Sequence, residues 1–158
     1  MKKSTTLLFL ILAVLIVACT QSDKQQAEAL QVETINAITN ADATKTASVF
    51  SKDYIDFSQR KRDLNEEYFK QVFENEFYKT SIQGRAMNEL FDVDKKEVFN
   101  FKEISNSKYK DIGKETEFEF KEWDILINYP PKEGSGIQEG FLAVYRKENG
   151  KWMIVAGE

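Results

Sequence analysis

The chain contains 158 residues, of which 42% are hydrophobic and 30% are charged, and its formal net charge is −4. That length suits a single domain, and the apolar content is too high for a disordered chain. The sequence has no His, which excludes Ser-His-Asp and Cys-His triads and His-based metal sites, and its single Cys excludes an internal disulfide or a Cys-rich zinc site.

Residues 1–18 have the pattern of a secretory signal peptide. Lys2 and Lys3 form a positively charged start, and residues 7–18 (LLFLILAVLIVA) form an apolar run that is too short to span a bilayer as a stable helix. The run leads into IVAC at residues 16–19, which resembles the bacterial lipobox. The sequence therefore predicts a lipoprotein of the bacterial cell envelope.

The lipobox resemblance implies that Cys19 is acylated and becomes the first residue of the mature chain. Two or more acyl chains hold a protein on a membrane persistently, with residues 19–24 as a short tether. Thr20 stands where an inner-membrane retention signal of the enteric type would have Asp, so the outer membrane is the favoured destination, on its periplasmic or its surface face. Loss of Lys2 and Lys3 leaves 20 basic and 26 acidic residues, a balance that argues against nucleic-acid binding.

Residues 25–158 read as one domain that begins with helices. Apolar spacing predicts a first helix from about Lys24 to Thr39, and Asn40 or Asp42 caps a short second helix. A brief strand at 54–57 follows. Asp63, with Glu66 three residues later, is expected to start a third helix whose apolar rows are Leu64/Tyr68/Val72 and Phe69/Phe73/Phe77. An aromatic face this broad needs a cover, most simply a sheet.

From about Val98 the pattern changes to strands. Phe99 and Phe101 alternate, as do Phe118 and Phe120, whereas apolar residues from Trp123 to Tyr129 fall on odd numbers, so we expect one long strand with a β-bulge near 121–122. Pro130-Pro131 ends it, and 134–136 (GSG) form a turn. Residues 140–145 are apolar on both faces, which predicts a central strand, and Asn149-Gly150 predicts a hairpin.

Helices followed by a bent antiparallel sheet indicate an α+β fold with the helices packed in the concave face of the sheet. Residues 37–50 (AITNADATKTASVF), 53–57 (DYIDF) and 140–155 (GFLAVYRKENGKWMIV) resemble the nuclear transport factor two-like, or SnoaL-like, group. The resemblance implies a cone-shaped, cystatin-like domain. Members include isomerases, cyclases and non-catalytic binding modules, so the fold does not fix the function.

The resemblance implies that an enzyme of this group would use an Asp inside the cone. Asp56 and Asp124 are the candidates, because a carboxylate in an apolar pocket can act as a general base. Strand alternation argues against both candidates. If Ile55 and Phe57 face inward, Asp56 faces water. In the same way, Asp124 faces water if its neighbours Trp123 and Ile125 face inward.

Tyr68, Phe73, Trp123 and Tyr145 are candidate walls of a ligand pocket, although aromatic residues in this pattern are more often plain core. No phosphate-binding glycine loop or metal-ligating pattern is present, so no cofactor and no metal are expected. The leading hypothesis is a lipid-anchored, non-catalytic binding or scaffolding module for a small apolar ligand or a partner protein. An isomerase or cyclase type of enzyme and an inhibitor or immunity-type lipoprotein remain alternatives. The two-sided apolar strand at 141–145 predicts either a covered sheet or a homodimer through its outer face.

Overall fold

The structure is a computed structural model that describes residues 22–58, 60–112 and 114–158. The predicted signal peptide (1–18) and lipidation site (Cys19) lie outside these residues. The helices are α1 (Asp23–Thr39), α2 (Ala43–Ala47), α3 (Glu66–Glu74), α4 (Glu76–Ser81), α5 (Met87–Leu90) and α6 (Phe101–Ile104). The strands are β1 (Phe50–Asp56), β2 (Arg60–Lys61), β3 (Glu97–Asn100), β4 (Ile125–Tyr129), β5 (Phe141–Glu148) and β6 (Lys151–Gly157). The domain is therefore α+β, as the sequence predicts.

The strands of the described residues form one six-stranded sheet in the order β2-β1-β6-β5-β4-β3. Every neighbouring pair is antiparallel except β1 and β6, which are parallel. The expectation of a purely antiparallel sheet was wrong on this point. Parallel neighbours need a long connection, and β1 and β6 are separated by most of the domain.

The start of the domain follows the sequence prediction closely. Ser22 and Gln25 form a capping box at the start of α1, so the helix begins two residues before the predicted domain boundary at 25. Asp42 caps α2 through Lys45 N–H, and was one of the two predicted caps. The predicted hairpin at Asn149-Gly150 is also confirmed: both residues have positive φ, as a tight two-residue turn requires.

Both faces of the sheet are covered by the chain itself. On the inner face, Ala143 and Tyr145 of β5 pack in the main core with helices α1 and α3. On the outer face, Leu142 and Val144 pack against Ile104 and the aromatic residues of the segment between β3 and β4. The two-sided strand is thus a central, covered strand, which is the first of the two arrangements predicted for it.

The predicted long strand with a bulge near 121–122 was wrong. Residues 117–124 contain no strand, and β4 begins at Ile125. The apolar residues change from even to odd numbers because they pack on opposite faces of the sheet. Phe118 and Phe120 pack in the outer cluster, whereas Ile125 and Ile127 pack in the inner core. Pro130 follows the last residue of β4, as predicted.

The third helix starts later and ends earlier than predicted. Asn65 caps α3 by accepting from Tyr68 N–H, while Asp63 accepts from the Asn65 side chain instead. Asn75 then interrupts the helix and caps α4 through Phe77 N–H, which leaves Phe77 57% exposed rather than in the aromatic row. Phe101 is likewise not in a strand, because Asn100 ends β3 and caps α6.

Candidate ligand-binding cavity

A cavity of about 290 Å³ lies between α1, α3 and the inner face of the sheet. Its volume is near the lower end of the range of small-molecule pockets, roughly 300–1,000 Å³. The apolar walls come from six helices and strands and from the loops between them, and include Ile35, Phe50, Leu64, Phe69, Leu90, Phe91, Ile137, Phe141 and Ile154. The α1–α3 side and the sheet side do not fill the space between them, so the core contains room for a small apolar molecule.

Polar side chains gather on one part of the cavity wall, where β1 ends and α3 begins. The Arg62 guanidinium Nη1 lies 3.3 Å from Asp56 Oδ2 and donates to the Tyr68 hydroxyl at 3.1 Å. Asp56 Oδ1 accepts from the Ser58 backbone N–H at 2.8 Å and from the Ser58 hydroxyl at 2.6 Å. Both carboxylate oxygens of Asp56 are therefore engaged by donors.

The prediction that Asp56 faces water was wrong. Asp56 is buried and lines the cavity, as does Tyr54, two residues earlier on the same face of β1. The inward phase belongs to Tyr54 and Asp56, while Ile55 and Phe57 pack in the outer cluster. Because the outer face of this sheet is also apolar, alternation of apolar residues could not tell the two faces apart.

Tyr54 adds a protonated hydroxyl to the polar side of the cavity. Burial raises the pKa of Tyr54 well above its usual value, and the negative charge of Asp56 raises it further. The Arg62 charge opposes these effects without cancelling them. Tyr54 is therefore neutral at physiological pH and presents a hydroxyl that both donates and accepts hydrogen bonds.

Two further carboxylates, Glu139 and Glu158, line the cavity at its exposed rim. Partial burial raises the pKa of Glu158, and the nearby charges of Glu139 and Asp56 raise it further. The described residues of the cavity wall therefore include three carboxylates, of Asp56, Glu139 and Glu158, and one cation, Arg62. The rim is net negative, so it favours a ligand whose polar end is uncharged or cationic.

Of the four aromatic residues predicted to form a pocket, only Tyr68 lines this cavity. Phe73 is buried beside it in the aromatic row, with its ring centroid 6.0 Å from that of Phe69. Tyr145 is fully buried in the core on β5, and burial raises the pKa of its hydroxyl. Trp123 is 57% exposed, lies two residues before the start of β4 and does not line the cavity.

Asp124, the second candidate acid, is completely buried but does not line the cavity. Arg146 binds it with two hydrogen bonds, from Nε at 2.8 Å and from Nη2 at 2.7 Å. The Lys121 backbone N–H donates to the same carboxylate at 2.8 Å. This arrangement fixes the turn that leads into β4, so the role of Asp124 is structural.

Sequence reasoning missed the cavity's main polar residue, Arg62, because the segment 60–62 (RKR) reads as a solvated basic loop. A signal was available: Arg62 lies six residues from both Asp56 and Tyr68, on a short connection between a strand and a capped helix. A tight connection of this kind brings the end of the strand close to the start of the helix.

Comparison of the chain with protein-family models and with curated protein sequences gives no match. Within the described residues no helix is both long enough and apolar enough to cross a membrane. Across the same residues no group of three or more acidic or Cys side chains is arranged to hold a metal ion.

Proposed function

We propose that this chain is a lipid-anchored protein of the cell envelope that binds a small apolar ligand in the cavity between its helices and its sheet. The observation that carries the proposal is the cavity itself. A space of about 290 Å³ with mostly apolar walls lies between the helices and the sheet, and Asp56, Arg62 and Tyr68 form a polar cluster on its wall. Pockets that bind small molecules combine apolar walls with a few polar groups in this way.

The polar side of the cavity defines the kind of ligand. Tyr54 and Tyr68 offer hydroxyls, and the Asp56–Arg62 pair is already internally neutralised. Glu139 and Glu158 add negative charge at the rim. We therefore propose a ligand with a hydrocarbon body and one uncharged or cationic polar end.

The same observations support a distant relationship to the nuclear transport factor two-like group. Helices α1 to α3 pack on the inner face of the sheet around a cavity. The β5–β6 hairpin follows them as the last element, which is the order that the resemblance implies. On this proposal the sheet is the wall of a cone. The relationship adds no activity by itself, because this fold carries enzymes and binding modules alike.

An enzyme that uses Asp56 is the second candidate, and the position of Asp56 on the cavity wall is the observation that favours it. A general base needs an oxygen that is free to take a proton from a substrate. Ser58 donates twice to one Asp56 oxygen, and Arg62 lies beside the other. We therefore prefer a binding role without catalysis.

A partner-protein role rests on a different surface. Phe77 is 57% exposed and borders a shallow groove that also includes Val72 and Ile82. An inhibitor or immunity-type lipoprotein would use an exposed apolar surface of this kind. The groove is shallow and open to solvent, whereas the cavity lies partly enclosed between the helices and the sheet, so the cavity remains the better-supported site.

Ligand binding is tested with a neutral apolar fluorophore, N-phenyl-1-naphthylamine, and a soluble form of the protein that begins at Thr20. We expect saturable binding with a blue-shifted emission. Ile137→Trp should abolish it, because Ile137 is a half-buried residue of the cavity wall. Ile112→Trp is the matched control, since Ile112 is also half-buried but packs in the outer cluster. Equal loss in both variants, or no saturable binding, would contradict the proposal.

The lipid anchor is tested separately in cells. We expect metabolic labelling with palmitate to mark the wild-type protein and not the Cys19→Ala variant. The Cys19→Ala variant should also leave the membrane fraction. Retention of that variant in the membrane pellet, or an unlabelled wild-type protein, would show that the envelope protein is not anchored at Cys19.

A further inference from the structure

The first turn of α1 is fixed to one end of the sheet by two ion pairs. Asp23 Oδ1 lies 2.8 Å from Lys147 Nζ near the end of β5, and Lys24 Nζ lies 2.6 Å from Glu103 Oε2 on α6. Strand β4 begins between these two points, because Ile125 pairs with Tyr145 of β5 and with Asn100 of β3. The start of α1 therefore lies over the start of β4.

Trp123 belongs to this same end of the sheet. It precedes Asp124, whose carboxylate is bound by Arg146, and Arg146 is next to Lys147, the partner of Asp23. The Trp123 side chain is 57% exposed. We call this end of the sheet, which carries Asp23, Lys24, Trp123 and Lys147, the anchor edge.

The distance from the proposed lipid to the anchor edge is short. Ser22, the cap of α1, is three positions after Cys19, and an extended chain covers at most about 11 Å over those three steps. A lipid on Cys19 therefore holds the anchor edge at the bilayer surface. Asp23 and Lys24 are already paired with opposite charges, so bringing them to the surface exposes little net charge.

The cavity lies at the opposite end of α1. The helix runs along β5 from Lys147 past Phe141, whose carbonyl accepts from the Gln31 side chain, and residues Ile38 and Thr39 of its last turn line the cavity. A helix of 17 residues spans roughly 24 Å between its end residues. The exposed rim residues Glu139 and Glu158 are at that far end.

We propose that the anchored protein docks on a phospholipid bilayer through the anchor edge, with Trp123 in the interface and the cavity rim turned to the aqueous phase. Trp is favoured at the boundary between lipid and water, because its ring is apolar and its N–H is polar. This inference rests on the proposed lipid anchor. Its consequence is that the ligand enters from the aqueous side and not laterally from the membrane that holds the protein.

The test uses the full lipidated protein in phosphatidylcholine vesicles whose acyl chains are brominated near the headgroup, since bromine quenches indole fluorescence on contact. The mature chain has two Trp residues, Trp123 and the buried Trp152. In the Trp152→Phe variant, which reports Trp123, we expect strong quenching and a blue shift relative to the protein in detergent. In the matched Trp123→Phe variant, which reports Trp152, we expect quenching to be several-fold weaker.

Each of the remaining outcomes supports or overturns the inference. If Trp152→Phe fails to fold, the quenched component is read as the difference between the wild-type protein and Trp123→Phe, and its presence supports docking. A protein that floats with the vesicles but whose Trp123 is unquenched overturns the docking and leaves the anchor standing. A protein that does not float overturns the proposed anchor and the docking with it. A fluorophore on Glu139→Cys should remain unquenched, and quenching there would overturn the outward-facing cavity.

Discussion

Arg62 connects the end of β1 to the start of α3, because its guanidinium lies 3.3 Å from Asp56 and donates to Tyr68 at 3.1 Å. The Arg62 guanidinium also lies 6.0 Å from the centre of the Tyr68 ring. One side chain therefore neutralises a buried carboxylate and orients the Tyr68 hydroxyl on the cavity wall.

Arg62→Met should lower the free energy of unfolding by about 1–3 kcal/mol, because it removes a positive charge that lies 3.3 Å from the buried Asp56 carboxylate. The measurement is urea unfolding of the soluble form. The double variant Asp56→Asn/Arg62→Met should recover most of the loss, since neither charge remains. If the double variant is as unstable as Arg62→Met, the ion pair is not the source of the effect.

Glu158 is expected to make stability depend on pH. Burial and the charges of Glu139 and Asp56 raise its pKa in the folded protein, so the folded state holds the proton more tightly than the unfolded state. Ionised Glu158 therefore destabilises the folded protein. This loss of stability is absent below the ordinary pKa of a Glu and fully present once the pH exceeds the raised pKa. Glu158→Gln should be more stable than wild type by a few tenths of a kcal/mol at neutral pH, because solvent screens this partly exposed group.

Unfolding of wild type and Glu158→Gln across acid and neutral pH measures this difference. The extra stability of Glu158→Gln over wild type should shrink as the pH falls through the range in which a Glu carboxyl takes up its proton. Glu33→Gln, which removes an exposed charge on α1 away from the cavity, is the control for net charge. A gain of the same size at every pH would contradict the assignment.

Gly157 is expected to tolerate no side chain. A Cβ there would lie 2.3 Å from the Leu142 carbonyl oxygen and 3.3 Å from the Tyr54 hydroxyl, and the backbone oxygen cannot move without disturbing the pairing of β5 with β6. Gly157→Ala should cost more than about 3 kcal/mol of stability or prevent folding, as severe overpacking does. Gly134→Ala is the control: its Cβ meets nothing, and its positive φ should cost only about 1 kcal/mol. Equal thermal shifts in the two variants would contradict the contact.

Local signals predicted the parts of the fold that local chemistry determines. The Asp42 cap, the Pro130 strand end and the Asn149-Gly150 turn depend on residues close in sequence, and each lies where it was expected. The break at Asn75 was missed because an Asn can occupy the middle of a helix as well as a cap. Only the contact of its side chain with Phe77 N–H distinguishes the two.

The candidate site was less predictable because the sheet is apolar on both faces. Period-two alternation gives the phase of β1 but not which phase faces the cavity, so Asp56 was assigned to the wrong face. Trp123 was assigned to a pocket because the residues from 118 to 129 read as one strand. The turn held by Asp124 and Arg146 separates two surfaces there, and it depends on residues 22 positions apart.

The Asp124–Arg146 pair should be the most sensitive ion pair of the outer face. Asp124 is completely buried and receives both Arg146 hydrogen bonds, while Arg146 also donates to the Glu119 carbonyl and lies over the Phe118 ring. Arg146→Met should lower the free energy of unfolding by about 3–5 kcal/mol, because it leaves a buried carboxylate unpaired. Arg146→Lys should recover only part of the loss, since an ammonium cannot make the paired contact.

A double-mutant cycle with Asp124→Leu separates the charge pair from the packing of the outer face. Asp124→Leu/Arg146→Met should be far more stable than Arg146→Met alone, because no unpaired charge remains in the apolar surroundings. The cycle is measured by urea unfolding, with near-ultraviolet circular dichroism to follow the aromatic residues of the 117–124 segment. If the double variant loses as much stability as the sum of the two single variants, Arg146 stabilises this segment through its contact with Phe118 and the Glu119 carbonyl, and not through Asp124.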